Sequence, residues 1–407
     1  LNIFMTYTAY KFLLQPTIEQ EEILNQWAGS CRWIWNWCLD ENKKQYSKDK
    51  TFIFRFDLKK QLPKLKQTNT WLKDVPAHAL QNRVLDFDSA LKRVWQLGFG
   101  FPKYKSKYIE NHNTFRIDQV NNHIKVRNKN ITLPKIGKIK WVKHRSISGK
   151  LKTITVKKEN NKWWCICVCD IGTFNPPTSV NEDGIIGIDL GIKEFLTTND
   201  NTTVDSPKFL NKKLKKIKKL QRLLSRKKKN SNNRLKAKNK LRKVHYKIKC
   251  QRNDFLHKTS NAITKQYKII CVEDLDVKSM LKKHNLSRNI MDQGWYSFIS
   301  QLQYKSLMNG GTTIKIDRYY PSSKTCSNCS NIQPMPLSIR TYNCQSCNFS
   351  IDRDLNAAIN IRNKGINEII RMGTIRICSN TNHACGNNKL DQVANWSNEL
   401  LMKQEKI

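Results

Sequence analysis

No stretch of the 407-residue chain nears the roughly 18 consecutive apolar residues that a membrane-spanning helix needs. The N-terminus also has none of the charged, then apolar, then small-residue pattern of a secretory signal. These absences predict an intracellular protein, in the cytoplasm or nucleoid, or in the nucleus if the host is a eukaryote. Leu1 stands where an initiator would, and Met5 is a candidate natural start. Acids are scarce as well: 32 Asp and Glu face 74 Lys and Arg, a formal net charge of +42. That excess is larger than solubility requires and calls for a polyanion, so the expected partner is nucleic acid, not a membrane or a small-molecule substrate. In a reducing compartment the 13 cysteines are not a disulfide framework. Clustered ones suggest metal ligands and scattered ones small core residues.

Along the chain, Thr8 to Pro16 reads as a strand, and apolar positions three and four apart, from Ile23 through Ile34, predict helices that continue to about Gln96. The basic, aromatic loop FPKYKSK follows, and its Lys103, Lys105 and Lys107 are candidate nucleic-acid contacts. Short alternating runs around Phe115, Ile124, Ile131, Ile139, Ile154 and Trp163 predict the strands of a small β-barrel, into whose first connection the helices are inserted. Turn formers before Gly184 close this half. From Lys212 to Lys249 there are 19 Lys and Arg and not one acid, while Leu214, Ile217, Leu220 and Leu223 recur every third residue. A basic amphipathic helical hairpin fits, with KKKNSNN as its turn. A solvated helix face is the plainer alternative, but uncompensated cations at helical spacing repel one another unless phosphates screen them. Lys212, Lys213, Lys215, Lys216, Lys218, Lys219, Arg222 and Arg226 are therefore candidate phosphate contacts.

Cys326, Cys329, Cys344 and Cys347 form two C-x2-C pairs, the spacing with which two tight turns supply the four corners of a tetrahedral Zn2+ site. Four thiolates leave no open position, so one structural zinc is expected. Cys165, Cys167 and Cys169 alternate along a predicted strand and read as core. Cys378, His383 and Cys385 offer too few ligands for a second site. Among Trp33, Trp35 and Trp37, spread around a helix, at least one is expected in the core.

Three acids stand out: Asp189 interrupting IIGIDLG, Glu273 ending IICVEDL, and Asp354 starting DLNAAINI. Each alone has a simple explanation, since a helix-start Asp is usually a cap and a strand-end Glu is usually solvated. Buried carboxylates need cations, however, and three of them in a basic chain describe a two-metal phosphodiester site.

The ordered set IGIDLG, basic hairpin, VEDL, four-Cys ribbon and DRDLNAAINI resembles the TnpB proteins of insertion sequences, relatives of the type V CRISPR effectors. AYKFLLQPTIEQ, CRWIWNWCLDE, FPKYKSK and HACG match the family's texture too. The resemblance implies a multidomain α+β chain: a wedge β-barrel over 1–16 and 101–176, a helical recognition insertion over 17–100, a RuvC-like nuclease of RNase H fold over 184–320 and 351–372, a zinc ribbon over 321–350, and a flexible tail over 373–407. It further implies that Asp189, Glu273 and Asp354 hold two Mg2+ (or Mn2+) ions, with Asp352 structural, and that a guide RNA from the transposon end directs cleavage of double-stranded DNA beside a short flanking motif. A guide-dependent DNA-binding regulator without cleavage and an RNA-independent transposase accessory protein are the alternatives. No His-hydrophobic-His plus Tyr set for strand transfer is present.

Overall fold

The structure, a computed structural model, describes residues 4–109, 112–118, 124–282, 287–336, 338–373 and 375–378. It divides into two units, Phe4–Thr173 and one beginning at Phe174.

The first unit opens with β1 (Phe4–Gln15) and α1 (Ile18–Asp49). Thr17 and Gln20 start that helix as a reciprocal capping box, each side chain accepting from the other's backbone amide. Then come α2 (Arg55–Thr68) and α3 (Ala77–Leu97). The strands are β2 (Thr114–Ile117), β3 (Lys125–Val126), β4 (Asn130–Leu133), β5 (Gly137–Val142), β6 (Lys150–Glu159) and β7 (Lys162–Phe174). They form one seven-stranded sheet in the order β2-β6-β7-β1-β5-β4-β3. Alternate residues such as Phe115, Ile131, Ile139, Ile154 and Trp163 turn into a core shared with Leu24, Trp27, Ile34 and Phe87 of the helices.

The expected closed barrel is not found. Among the described residues β2 and β3 are the two ends of an open order, with no ladder joining them. Closure needs a paired edge, and β3 offers only two residues. Cys165, Cys167 and Cys169 are fully buried on one face of β7 and fill the core.

The second unit contains β8 (Ser179–Asn181), β9 (Ile185–Asp189), β10 (Glu194–Thr198), β11 (Thr203–Asp205), α4 (Phe209–Ser225), α5 (Asn232–Gln266) and β12 (Ile269–Glu273). It continues with α6 (Val277–Leu281), α7 (Ser287–Gln293), α8 (Trp295–Met308), β13 (Thr312–Ile316), β14 (Thr341–Asn343), β15 (Ser350–Asp352), α9 (Arg353–Met372) and β16 (Arg376–Cys378). A five-stranded sheet runs β11-β10-β9-β12-β13. The β9–β10–β11 pairs are antiparallel, whereas β12 lies parallel to both β9 and β13.

Both faces of this sheet are covered. Ile186, Ile188, Ile270 and Val272 pack with Leu256, Trp295, Phe298 and Leu302 from α5 and α8. Ile185, Ile269, Cys271 and Ile316 pack on the other side with Ile361 and Ile369 of α9. Burial on two faces explains why IIGI and IICV read as continuous apolar runs without alternation.

Within the segment expected as a flexible tail, residues 376–378 form β16, parallel to β8. From residue 379 on, that tail, with His383 and Cys385, lies outside the described residues.

Candidate metal centre

Asp189 ends β9 and Glu273 ends β12, and these neighbouring parallel strands run in a register that pairs Ile188 with Val272. The next step along each strand therefore sets the two carboxylates side by side. Asp354 joins them from the first turn of α9. That helix lies unusually close to β9, because Gly187 has no side chain: a Cβ there would stand 2.3 Å from the Ala358 carbonyl oxygen. Gly365 repeats the device one layer along, where a Cβ would stand 2.2 Å from Cys271 Sγ.

The electrostatics follow from that convergence. Burial, then the charges of Glu273 and Asp354, push the Asp189 carboxyl well above the usual carboxylate range, with Arg353 opposing. Burial also raises Glu273, against a hydrogen bond from Ser322. Like charges crowded at one sheet end favour a bound cation. An all-carboxylate oxygen set suits Mg2+ or Mn2+. Asp352, by contrast, caps α9, accepting from the amides of Asp354 and Leu355. With the cap supplied two residues earlier, the Asp354 carboxylate is left for other work. Arg340 Nη1 stands 3.6 Å from Asp354 Oδ2.

The four cysteines meet as their spacing predicts. All four sulfurs lie within 4.8 Å of one another. Cys326 Sγ is 3.7 Å from Cys347 Sγ, and Cys329 Sγ is 3.6 Å from Cys344 Sγ. Tetrahedral Zn–S bonds of about 2.3 Å put sulfurs about 3.8 Å apart, so the cage fits zinc.

Each cysteine pair sits in the same turn. The Ser330 amide donates to the Cys326 carbonyl and the Asn348 amide to the Cys344 carbonyl, with Ser330 (φ 63) and Asn348 (φ 57) both left-handed. Burial works against the Cys344 thiolate, but hydrogen bonds from the backbone of Cys347 and Ser346 carry its pKa down to about 6.

The ribbon is fastened to α9. Asn356, fully buried, donates to the Thr325 carbonyl and accepts from the Ser327 amide. Asn360 donates to the carbonyls of Ser322 and Thr325, and Arg353 to that of Pro336. Ser322 in turn donates its hydroxyl to Glu273. One hydrogen-bonded chain thus runs from α9 through the ribbon's base to an acid on β12. Sequence reasoning missed Ser322, Asn356 and Asn360. The available signal was two amides four residues apart inside the apolar run of α9, where a polar residue needs a buried partner.

The basic segment folds as the hairpin α4–α5. Lys212, Lys213, Lys215, Lys216, Lys218, Lys219, Arg222 and Arg226 are all exposed. Lys215, Lys218, Lys219, Arg222 and Arg226 line one shallow concavity. Asp292 ties the hairpin's base to its unit, pairing with Arg252 at 2.6 Å and accepting from the Leu210 amide at 2.8 Å. Ile217 is buried, but Leu223 is 40% exposed. Each three-residue step falls about 60° short of a full turn, so nine residues beyond Leu214 the stripe has crossed to the opposite face, and Leu224 turns inward instead.

In the first unit Lys103 and Lys107 are exposed, whereas Lys105 is half-buried. Its ammonium lies 3.4 Å from the Trp35 ring centre. Burial, aided by Arg83, lowers its pKa to about 7.

Three family models match the chain. One described as "Probable transposase" covers residues 154–284, one for the TNB domain of Cas12f1-like proteins covers 295–361, and one for a helix-turn-helix domain covers 5–51. The last falls on β1 and α1, which fold as one strand and one unbroken 32-residue helix. InsQ of Escherichia coli (strain K12) is 32% identical over 87% of this chain and 91% of its own length. A protein of Streptomyces pristinaespiralis is 29% identical over 88% and 89%. Both carry the name "Putative RNA-guided DNA endonuclease". The cryo-EM structure of a Cas12f1–sgRNA–target DNA complex shares the fold at a TM-score of 0.55 and 14% identity, over 88% of this chain and 99% of that one.

Proposed function

The chain belongs to the TnpB (IS605 OrfB) family of transposon proteins, and from that premise we propose that it is an RNA-guided DNA endonuclease. The observation that carries this reading is the convergence of Asp189, Glu273 and Asp354 at the end of one sheet, with burial and mutual repulsion raising Asp189. We read that sheet, three antiparallel strands continued by two parallel ones, as a RuvC-like nuclease of RNase H fold. The first unit is the wedge and helical recognition part.

Asp189, Glu273 and Asp354 would hold two Mg2+ or Mn2+ ions. Such ions, when bound, activate a water and stabilise the leaving oxygen in phosphodiester hydrolysis. Ser322 orients the Glu273 carboxylate, and Asp352 fixes the helix start from which Asp354 projects. The ribbon cysteines hold one zinc that shapes the cleft and takes no part in the chemistry. The exposed cations of α4, with Lys103 and Lys107, track phosphates. Sequence is read by a guide RNA, from the transposon end, pairing with target DNA beside a short flanking motif, while the protein reads backbone and shape.

The test is cleavage of guided DNA by the purified ribonucleoprotein in Mg2+. Asp189→Ala is expected to lower cleavage by at least about a thousandfold, the several kcal/mol that metal-ion catalysis supplies, while leaving guided binding intact. Equal cutting by the variant would overturn the assignment.

A further inference from the structure

Beside α1 in the first unit lies an open surface groove of about 410 Å³, to which the proposed function assigns nothing. Two tryptophans border it: Trp33 on α1 and Trp71 in the turn Thr70–Asp74, edge to face with ring centres 5.3 Å apart. They are not a core pair, since Trp33 is only half-buried and Trp71 is 36% exposed. Gln26 and Arg32 complete the border; each also donates within the unit, to Asp74 and Asn113, while the Asn36 amide is taken up at both atoms by the Lys105 backbone.

Gly29 is the second observation. It sits one turn before Trp33 in the interior of a 32-residue helix, where glycine is a poor helix former relative to alanine. Nothing in the backbone requires it, because its φ is not positive. Packing does not require it either: a Cβ there would meet only Arg32 Nη2, at an ordinary 3.5 Å. What the missing side chain does is leave the groove open over Trp33.

We propose that this groove takes a single unpaired nucleobase of bound nucleic acid, stacked on tryptophan with its hydrogen-bonding edge toward Gln26 and Arg32. The proposal deepens the reading of the chain as a nucleic-acid enzyme and rests on it. A chain of net charge +42 draws in polyanions. Of their parts, a base suits the two aromatic rings and the Gln26 amide, while a phosphate would find only the Arg32 guanidinium. A base inside a duplex stack cannot enter, so the occupant is extruded or single-stranded.

The experiment compares binding of short oligoadenylates with binding of abasic oligomers of equal length and charge, in ribose and deoxyribose forms, to the full-length protein. Stacking predicts about tenfold tighter binding of the base-bearing probe. Gly29→Leu fills the groove while favouring the helix, and Trp71→Ala removes a partly exposed ring. Both are expected to bring the ratio near one, with abasic binding and the melting temperature of Gly29→Leu undiminished. A ratio near one in the unsubstituted protein, or one that neither substitution moves, overturns the proposal. A preference confined to ribose or to deoxyribose probes supports it and names the strand. Guided cleavage, measured in parallel on the same preparations, separates the two claims: cleavage without base preference removes only this site, and base preference without cleavage removes only the nuclease.

Discussion

The ribbon and the acid cleft gather potential negative charge by different routes. The ribbon's ligands lie close in the chain, in two turns of the same form, and backbone amides already stabilise the Cys344 thiolate. The acids come from two strands and a helix, and burial and repulsion destabilise the Asp189 carboxylate. One cluster is built to keep a single ion with every position filled. The other is crowded and, on the proposed reading, relies on divalent cations to offset the repulsion. Within the ribbon the relief is uneven, since, against a hydrogen bond from the backbone of Asn331, neighbouring sulfurs and burial push the Cys329 thiol up to about 12 while Cys344 is lowered.

The largest expected effect tests the closed side of that comparison. Cys344→Ser removes one corner of the cage and is expected to release zinc, whose binding contributes about 10–16 kcal/mol to folding in small zinc units. Metal content and thermal unfolding measure it, and a full equivalent of retained zinc would show that the ligand set is wrong.

Next is the link between the two clusters. Ser322→Ala removes the hydroxyl that orients Glu273 and should slow cleavage about tenfold, as loss of an outer partner of a metal ligand does, with zinc content and DNA binding unchanged. An unaltered rate would confine Ser322 to holding the ribbon.

The smallest effect contrasts both clusters with the hairpin, whose positive charge is spread along a solvated face. Replacing Lys215, Lys218, Lys219 and Arg222 with glutamine should make the salt dependence of DNA binding shallower, by about 0.9 in log–log slope for each phosphate that is no longer neutralised. A slope that stays put would assign these side chains to solvent.

What the sequence made legible was mostly short in range. The C-x2-C pairs name their own partners, and the acid-free run from Lys212 declares a surface that no core would accept. The three acids were identifiable because a carboxylate on an apolar strand needs an explanation. The misses have different causes. Leu223 fails because a three-residue repeat drifts off a 3.6-residue helix. The barrel stays open because closure depends on a ladder between distant edges, which alternation along single strands does not encode. Lys105 sits in a loop whose composition does not foretell burial, yet Asn36 bonds both its amide and its carbonyl and holds the segment against α1, over Trp35. Ser322 looks like any loop serine until the fold brings Glu273 beside it.

The near contact at Gly187 bears on how a chain of this kind can lose its activity. Ala358's carbonyl is backbone and cannot swing aside, so a single methyl group at position 187 would lever α9 off the sheet and carry Asp354 away from Asp189. Catalytic silence can therefore arise in a descendant whose acidic residues are all intact. Surveys that score such chains as competent by their carboxylates alone would overlook a mutation that adds carbon where there had been only hydrogen.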